Sequence, residues 1–209
     1  MKCRRETDKI PVNLVEWIIH LPVLFFSVIV HEFCHGWVAY SRGDDTAEKA
    51  GRLTLNPLAH VDPFGTVFLP ALCFFMNAPM FGWAKPVPVN TAQLRRPKRD
   101  MVHVAMVGPV ANIVLALCAA VAYKLITLAP IFTPEFKDTV LGFLRFGVGV
   151  NLFLAFFNLI PIHPLDGSKV LSGLLPRKLQ RAYERHVPYG MFLIFLLSSF
   201  FRNSFFFNK

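Results

Sequence analysis

The stretch Ile18–Tyr40, IIHLPVLFFSVIVHEFCHGWVAY, is an almost unbroken apolar run that carries two histidines and a glutamate at HEFCH, residues 31–35. As a helix, which rises about 1.5 Å per residue, a run of this length crosses the roughly 30 Å hydrocarbon core of a bilayer. Ionisable side chains inside such a helix are rare and usually functional. The stretch therefore predicts a membrane-spanning helix that carries a functional site.

The polar start of the chain, MKCRRETDK, followed by apolar sequence imitates a secretory signal peptide. No small-x-small cleavage pattern follows it, and the apolar run contains the HEFCH residues. We therefore expect residues 1–13 to form a polar tail and the first span, Leu14–Tyr40, to be retained in the protein.

Apolar runs recur along the chain. Hydrophobic residues make up 54% of the 209 residues, against about 45–50% in an average globular chain. The sequence thus predicts one membrane-embedded domain, residues 1–209, of the all-α polytopic class, with four to five transmembrane helices and a re-entrant or extended segment. Its core occupies residues 14–175, and residues 176–209 form a loop and a last apolar helix. The later apolar runs are Phe64–Phe81, Met101–Ala129, Val140–Ile162 and Val187–Phe201.

The net charge is +9, and the basic residues lie in the short segments between apolar runs, most densely in RRPKR at Arg95–Arg99. No aromatic-basic pattern or nucleic-acid motif accompanies them, so the sequence indicates no nucleic-acid partner. Basic loops of membrane proteins face the cytoplasm. We therefore expect the loops Lys85–Arg99 and Lys169–Arg185 to be cytoplasmic, in an integral protein of the cell membrane.

The HExxH spacing places His31 and His35 one helical turn apart, about 40° around the same face. Two imidazoles in this relation can bind one metal ion, and Glu32 beside them can act as the general base for water. Zn²⁺ is the ion expected for two histidines, a carboxylate and one open position. The alternative is a pair of structural histidines that are hydrogen-bonded to neighbouring helices.

A catalytic zinc site needs a third protein ligand, and the remaining acidic residue at membrane depth is Asp166 in NLIPIHPLDG. Pro161 and Pro164 must interrupt the helix before it. Irregular backbone at this depth is tolerated where it is buried in protein or lines a wet cavity, and a hydrolase needs such a cavity to bring water to the metal. The alternative is that Asp166 only caps the following helix.

The motifs HEFCHG, GPVAN and FNLIPIHPLDG, in this order on separate spans, resemble those of the site-2 protease family of intramembrane zinc metalloproteases, in its small form without a PDZ or CBS domain. The resemblance covers about residues 20–175. It implies peptide-bond hydrolysis within or near a transmembrane segment of a protein substrate in the lipid bilayer. It also implies one Zn²⁺ per chain, held by His31, His35 and Asp166, with Glu32 as the base.

The same resemblance implies that Asn112 of GPVAN and Asn158 of FNLIP lie near the site and orient the substrate or the transition state. His163 departs from the family pattern, which often has proline there. It can be a spare ligand, a proton shuttle or a lining residue, and we interpret it as a lining residue because three ligands are already present. We interpret Cys34 as a packing residue, since a fourth protein ligand would close the open position.

HEFCH lies in the C-terminal half of its span and LDG at the C-terminal end of its own, so the two spans must run parallel to reach one metal ion. Parallel spans require an odd number of crossings between them, and Met101–Ala129 supplies one. We therefore predict that Phe64–Phe81 is a re-entrant hairpin that continues into a strand at Trp83–Val89 beside the site. A full crossing by Phe64–Phe81 is the alternative, and it moves the N-terminus from the outer face to the cytoplasm.

Two other functions are compatible with the motifs. A metal transporter would use His31, His35 and Asp166 as a transit site but would not need Glu32. A catalytically inactive relative would bind transmembrane helices without cleaving them, although the intact HExxH and LDG motifs argue against it. Regulated cleavage of a signalling protein and removal of leftover membrane peptides are both open as the biological role, and no feature indicates an oligomeric state.

Overall fold

The structure, a computed structural model, describes residues 12–76, 84–129, 133–194 and 196. Its α-helices are α1 (Val12–Ser41), α2 (Thr46–Lys49), α3 (Leu69–Phe75), α4 (Pro97–Leu128), α5 (Pro134–Asn158), α6 (Asp166–Leu174) and α7 (Arg177–Glu184). Turns of 3₁₀ helix lie at Pro57–His60 and Val187–Tyr189, and a π-helical segment lies at Pro63–Phe68. The predicted all-α class is confirmed.

Three helices among the described residues are long and apolar enough to cross a membrane, namely α1 from His20 onward, α4 and α5. They confirm the polytopic membrane architecture, whereas the predicted count of four to five spans is not confirmed. The last apolar run, Val187–Phe201, lies partly outside the described residues, and most of the predicted N-terminal tail lies outside them as well.

Prolines set the ends of the two later spans. Pro97 and Pro134 are the first residues of α4 and α5, where the missing N–H is not needed and the fixed φ suits a helix. Helix α5 ends at Asn158, and the chain then makes an irregular turn through Pro161 to Asp166, where α6 begins. The prolines of NLIPIHPLDG thereby create the break from which Asp166 reaches the first helix.

Helices α1 and α5 run parallel. Asn151 Nδ2 on α5 donates to Ser27 Oγ on α1 over 2.9 Å. One turn earlier on both helices, a methyl group added at Gly147 would contact Val23. The residue numbers rise together along the two helices, which is the parallel arrangement that the two motifs require.

Helix α4 runs in the direction opposite to both. His31 contacts Asn112, and His35, one turn later on α1, contacts Val104, which lies earlier on α4, through hydrogen bonds of 2.6 Å. The α4 numbers therefore fall as the α1 numbers rise. One crossing thus separates the two parallel helices, as the parity argument demands.

The segment between α1 and α4 leaves and returns at one place. The Lys85 N–H donates to the His60 carbonyl over 2.9 Å, so the chain is back beside His60 at Lys85. The helical part that the structure describes between them, residues 63–75, is about 20 Å long, shorter than about 30 Å of hydrocarbon. Both observations agree with the re-entrant interpretation and disagree with a full crossing.

The strand predicted at Trp83–Val89 is wrong for the described part of that range, which belongs to no sheet. The reason is that Pro86 and Pro88 have no N–H to donate to a sheet ladder. The N–H of Val87, which lies between them, donates instead to the Glu32 carboxylate over 2.8 Å. The segment is therefore an irregular stretch tied to α1, although it lies beside the HExxH motif as expected.

Candidate metal centre

Three buried ligand atoms meet between α1 and α6. His31 Nε2 and His35 Nε2 are 3.0 Å apart, and each lies 3.0 Å from Asp166 Oδ2. All three residues are at most 7% exposed. The structure thus brings together the three residues predicted from the sequence, and in the part of the chain that it describes they form a group of side chains placed to hold a metal ion.

Gly167 explains how a ligand from a distant helix reaches the histidines. A methyl group at this position would overlap the Leu159 carbonyl and would lie 2.6 Å from the Ile160 carbonyl oxygen. The glycine of LDG therefore permits α6 to pack closely on the end of α5. Any larger side chain would displace Asp166, its neighbour.

Gly108 of α4 forms one wall of the site. A methyl group there would lie 2.5 Å from His35 Nε2 and 2.6 Å from His31 Nε2. Atoms that are not bonded to each other do not approach this closely in a packed protein interior. The GPVAN motif thus contributes a gap in the surface of α4, and the two imidazoles fill it.

Hydrogen bonds on the far side of each imidazole assign its tautomer. His31 Nδ1–H donates to Asn112 Oδ1, and His35 Nδ1–H donates to the Val104 carbonyl, each over 2.6 Å. In a neutral imidazole the other nitrogen, Nε2, then carries the lone pair. Both Nε2 atoms therefore present lone pairs to the space beside Asp166.

The Asp166 carboxylate is held through its other oxygen. Lys169, one turn along α6, donates from Nζ to Oδ1 over 3.2 Å, and Oδ2 faces the histidines. Burial raises the pKa of Asp166, but the contacts with His31 and His35 and the charge of Lys169 lower that pKa by more, to well below its usual range. Asp166 is therefore ionised at neutral pH, as a metal ligand must be.

The donor set fits zinc. Ligand atoms at 2.0–2.1 Å from a tetrahedral Zn²⁺ lie about 3.3 Å from one another, close to the 3.0 Å separations of these atoms. Two lone pairs and a carboxylate oxygen that face one another in a buried site need a positive charge between them. Two nitrogens and one oxygen also leave the fourth position open, as in catalytic zinc sites.

Glu32 is tied to the irregular segment, residues 84–90. The Val87 N–H donates to Glu32 Oε2 over 2.8 Å. Gly36 permits this approach, because a methyl group there would lie 2.9 Å from Val87 Cγ1. Glu32 and Gly36, which each follow one of the two histidines, thus hold the irregular segment against α1. The predicted base is therefore in contact with the segment that was predicted to lie beside the site.

The two predicted asparagines have different surroundings. Asn112 is fully buried; its Oδ1 accepts from His31, and its Nδ2 donates to Asn151 Oδ1 over 2.8 Å. Both ends of its amide are therefore used inside the protein. Asn158 Nδ2 donates to a carbonyl one turn earlier in its own helix, over 3.0 Å. Their roles toward a substrate stay predictions.

His163 and Cys34 lie outside the group of ligand atoms. The His163 backbone N–H donates to His186 Nε2 over 3.1 Å, which ties the turn before Asp166 to the segment after α7. Burial first, and then the charges of Lys169 and His186, lower the pKa of His163, so its side chain is neutral at pH 7. The interpretation of His163 as a lining residue stays a prediction.

Sequence reasoning missed four residues that support the ligands: Ser27, Gly108, Asn151 and Lys169. Ser27 and Asn151 interrupt the apolar runs FFSVIV and GVGVNLFL, and this is a usable signal because polar side chains in membrane helices usually face the protein interior. No sequence spacing connects Ser27 and Asn151 with the ligands, because the hydrogen bonds of these two residues link three different helices, α1, α4 and α5.

Two imidazoles and a carboxylate that meet between membrane-spanning helices, with a glutamate beside them, define a candidate hydrolytic metal centre embedded in a membrane protein. Known proteins point to the same class. The profile of peptidase family M50 matches residues 124–198. The putative zinc metalloprotease YwhC of Bacillus subtilis is 36% identical over 191 residues, which are 90% of this chain and 81% of YwhC.

More distant relatives carry the same description. The putative zinc metalloprotease Rip2 of Mycolicibacterium smegmatis is 30% identical over 175 residues, 82% of this chain and 62% of Rip2. The zinc metalloprotease MJ0392 of Methanocaldococcus jannaschii is 22% identical over 168 residues, 79% of this chain and 37% of MJ0392. No solved structure matches the chain. The chain belongs to peptidase family M50, the site-2 protease family, which confirms the resemblance seen in the motifs.

Proposed function

We propose that this protein is a zinc-dependent protease that hydrolyses peptide bonds within or near the transmembrane segments of membrane proteins. The observation that carries the proposal is the buried group of His31, His35 and Asp166, whose ligand atoms are 3.0 Å apart. The group lies on and beside helices apolar enough to cross a membrane. The zinc metalloprotease name of a relative that matches most of the chain supports the same activity.

In this proposal His31, His35 and Asp166 hold one Zn²⁺ per chain. Bound zinc supplies a Lewis acid that polarises the scissile carbonyl and lowers the pKa of water. Glu32 is the general base: its carboxylate takes a proton from the attacking water and later delivers it to the leaving amine. The Val87 N–H, which donates to Glu32 Oε2, holds the carboxylate in place for both transfers.

The irregular segment, residues 84–90, is the proposed binding place for the substrate backbone. A peptide bound along it in an extended conformation would present its carbonyl beside Glu32. A transmembrane helix must unwind locally to bind in this way, because its backbone groups are otherwise paired within the helix. In this proposal Asn158 contacts the substrate, whereas Asn112, whose amide is fully used, acts on His31.

We place the protein in the cell membrane with the basic segments Lys85–Arg99 and Lys169–Arg185 in the cytoplasm. Lys98 Nζ donates to the Leu175 carbonyl over 2.5 Å, which supports a common side for the two segments. The positive-inside rule then makes that side the cytoplasm.

The test compares purified wild-type protein and Glu32→Gln on a model transmembrane peptide, with zinc measured in the same samples. Glu32→Gln should keep its zinc and lose at least about 100-fold in cleavage rate, since a general base contributes about 10²–10⁴-fold. His31→Ala and Asp166→Ala should lose both zinc and cleavage. Glu48→Gln, which alters an exposed glutamate on α2, is the matched control and should behave as wild type.

Cleavage by Glu32→Gln at the wild-type rate would contradict the proposal. A metal transporter would instead move zinc into sealed vesicles, and Glu32→Gln would not impair that transport. A catalytically inactive relative would bind the peptide with both proteins and cleave it with neither.

A further inference from the structure

A buried polar cluster lies next to the metal centre, where α1, α4 and α5 meet. Its members are Ser27, Asn112 and Asn151, and each is at most 3% exposed. Polar side chains at membrane depth are unfavourable unless they are hydrogen-bonded. The proposed mechanism gives Ser27 and Asn151 no contact with substrate, so their presence requires another explanation.

Every polar atom of the Asn151 amide has a partner. Nδ2 donates to Ser27 Oγ over 2.9 Å and to the Gly147 carbonyl over 2.8 Å, and Oδ1 accepts from Asn112 Nδ2 over 2.8 Å. Turning the amide over would set Oδ1 against the Gly147 carbonyl and would point Nδ2 at another donor. The neighbours of Asn151 on α1 and α5 therefore determine its orientation.

The orientation of Asn151 in turn determines that of Asn112. Because Asn151 Oδ1 can only accept, the NH₂ group of Asn112 must point toward it, and its second hydrogen points toward the Ser27 carbonyl, 3.3 Å away. The Asn112 oxygen then faces His31 Nδ1 at 2.6 Å. His31 therefore donates to Asn112, and Asn112 in turn donates to Asn151.

This direction matters for His31. An acceptor at Nδ1 keeps the proton there and leaves the lone pair on Nε2, the nitrogen that faces Asp166. His35 obtains the same result from the Val104 carbonyl, which is present whatever side chain stands at that position. His31 depends instead on side chains from two other helices.

We propose that Asn151 is a positioning residue of the metal centre, which acts through Asn112 to keep His31 in the tautomer and ring orientation that binds zinc. The inference rests on the proposed zinc site and deepens it. Asn151 lies outside the HExxH, GPVAN and LDG motifs and is two hydrogen bonds away from the ligand that it positions.

The zinc affinity of the purified full chain, measured by competition with a chromophoric chelator, tests this inference. Loss of a partner behind a metal ligand typically lowers metal affinity about 10–100-fold. We expect Asn112→Ala to fall in this range and Asn151→Ala to lower zinc affinity about 10-fold. Because Asn151 acts through Asn112, the double variant should bind zinc as weakly as Asn112→Ala alone.

Thr139→Ala is the matched control for zinc affinity. Thr139 lies on the same helix as Asn151 and, like it, donates to the carbonyl four residues earlier, but no such bond links it to Asn112 in the described residues. Its replacement should leave zinc affinity unchanged. In protein loaded with Co²⁺, the visible absorption spectrum should change for Asn112→Ala and Asn151→Ala and stay the same for Thr139→Ala, since it reports ligand geometry.

Equal zinc affinity of Asn151→Ala and wild type would overturn the inference, and so would additive losses in the double variant. If Asn151→Ala does not fold, Asn151→Leu decides, because it keeps a side chain of similar size and removes the acceptor of the Asn112 NH₂ group. A reduced zinc affinity then supports the inference and an unchanged one overturns it. Full zinc affinity in His31→Ala would instead show that the proposed zinc site itself is wrong.

Discussion

Each of the three proposed ligands is held by a different kind of group. His31 donates to a side-chain amide, His35 donates to the Val104 carbonyl, and Asp166 accepts from Lys169. The carbonyl is insensitive to substitution, so mutations can disturb His31 and Asp166 more readily than His35. At the scale of single residues, the centre therefore depends on side chains that orient other side chains.

Lys169→Met should weaken zinc binding most at low pH. The contacts with His31 and His35, and after them the charge of Lys169, keep the pKa of Asp166 low. Removal of that charge therefore raises this pKa by part of the shift, and zinc binds the ionised carboxylate. The pH at which half of the zinc is lost should therefore move upward from the wild-type value. Zinc content measured across a pH series checks this.

Two variants accompany that series. Lys169→Arg keeps the charge and should restore the wild-type pH profile, and Lys49→Met, which breaks the exposed Lys49–Asp45 pair on α2, should leave it unchanged. A Lys169→Met profile that coincides with wild type would show that the ion pair does not act on the metal centre.

Gly108→Ala should lose zinc while its helix stays intact. The added methyl group would come within 2.5 Å of His35 Nε2, so the imidazoles must move, whereas alanine favours a helix by about 1 kcal/mol over glycine. We expect at least about a tenfold loss of zinc affinity, the range seen when ligand geometry is disturbed. Gly149→Ala on α5, where a methyl group meets nothing within 4 Å, is the control; normal zinc affinity in Gly108→Ala would contradict this geometry.

The sequence pointed to the three proposed ligands, but not to the residues behind them. One helical turn determines the relation of His31 to His35, and Asp166 was the acidic residue left at membrane depth. The bond between Asn112 and Asn151 depends instead on the offset between α4 and α5. Side-chain packing in three dimensions sets that offset, and no pattern along the chain records it.

At the scale of elements, hydropathy located the spans but not their ends. Helix α4 begins at Pro97 and α5 at Pro134, several residues before the predicted apolar runs. These first turns read PKRD and PEFKDT, so the helices extend in charged sequence past the part that hydropathy marks. Hydropathy thus measures the membrane-embedded part of a helix, whereas proline at the first position marks where the helix starts.

The irregular segment, residues 84–90, contacts Glu32 through one backbone donor, the N–H of Val87. The substitution Val87→Pro removes that donor. Without the N–H, the Glu32 carboxylate loses this hydrogen bond. We expect kcat to fall about 10- to 100-fold, since a hydrogen bond to a charged group is worth about 1.5–3 kcal/mol. Zinc content should not change. Cleavage of a model transmembrane peptide, with zinc assayed in parallel, measures both quantities.

Val87→Ala is the control for that substitution, because it keeps the N–H and removes the side chain, which is only 7% exposed. If Val87→Ala lost as much activity as Val87→Pro, packing against Gly36 rather than the hydrogen bond to Glu32 would be responsible.

At the scale of the whole molecule, the position of the metal centre along α1 determines how far water must travel to reach it. His35 lies six residues before the end of α1 at Ser41, a distance of about 9 Å along the helix axis. Asp166 follows the end of α5, and the basic segments meet at the same end of the molecule. Water would therefore reach the centre by a short path from the side that we assign to the cytoplasm.

The direction of α1 can be tested at both ends of the protein. Because the centre and the basic segments lie near the C-terminal end of α1, the proposed topology puts Cys3, before α1, on the outer face. In a variant that keeps Cys3 and has alanine at the other cysteine positions, a membrane-impermeant maleimide should label intact cells. With Cys3 also replaced by alanine, Arg177→Cys on α7 should be labelled only after permeabilisation.

The pattern of labelling separates the possible topologies, because each moves the two positions differently. Protection of both Cys3 and Arg177→Cys in intact cells would mean that residues 61–84 cross the membrane completely, against the contact between Lys85 and His60. Labelling of Arg177→Cys with protection of Cys3 would mean that the whole molecule is inverted, in violation of the positive-inside rule. External Cys3 with internal Arg177→Cys requires an odd number of crossings between them, which the three described spans provide.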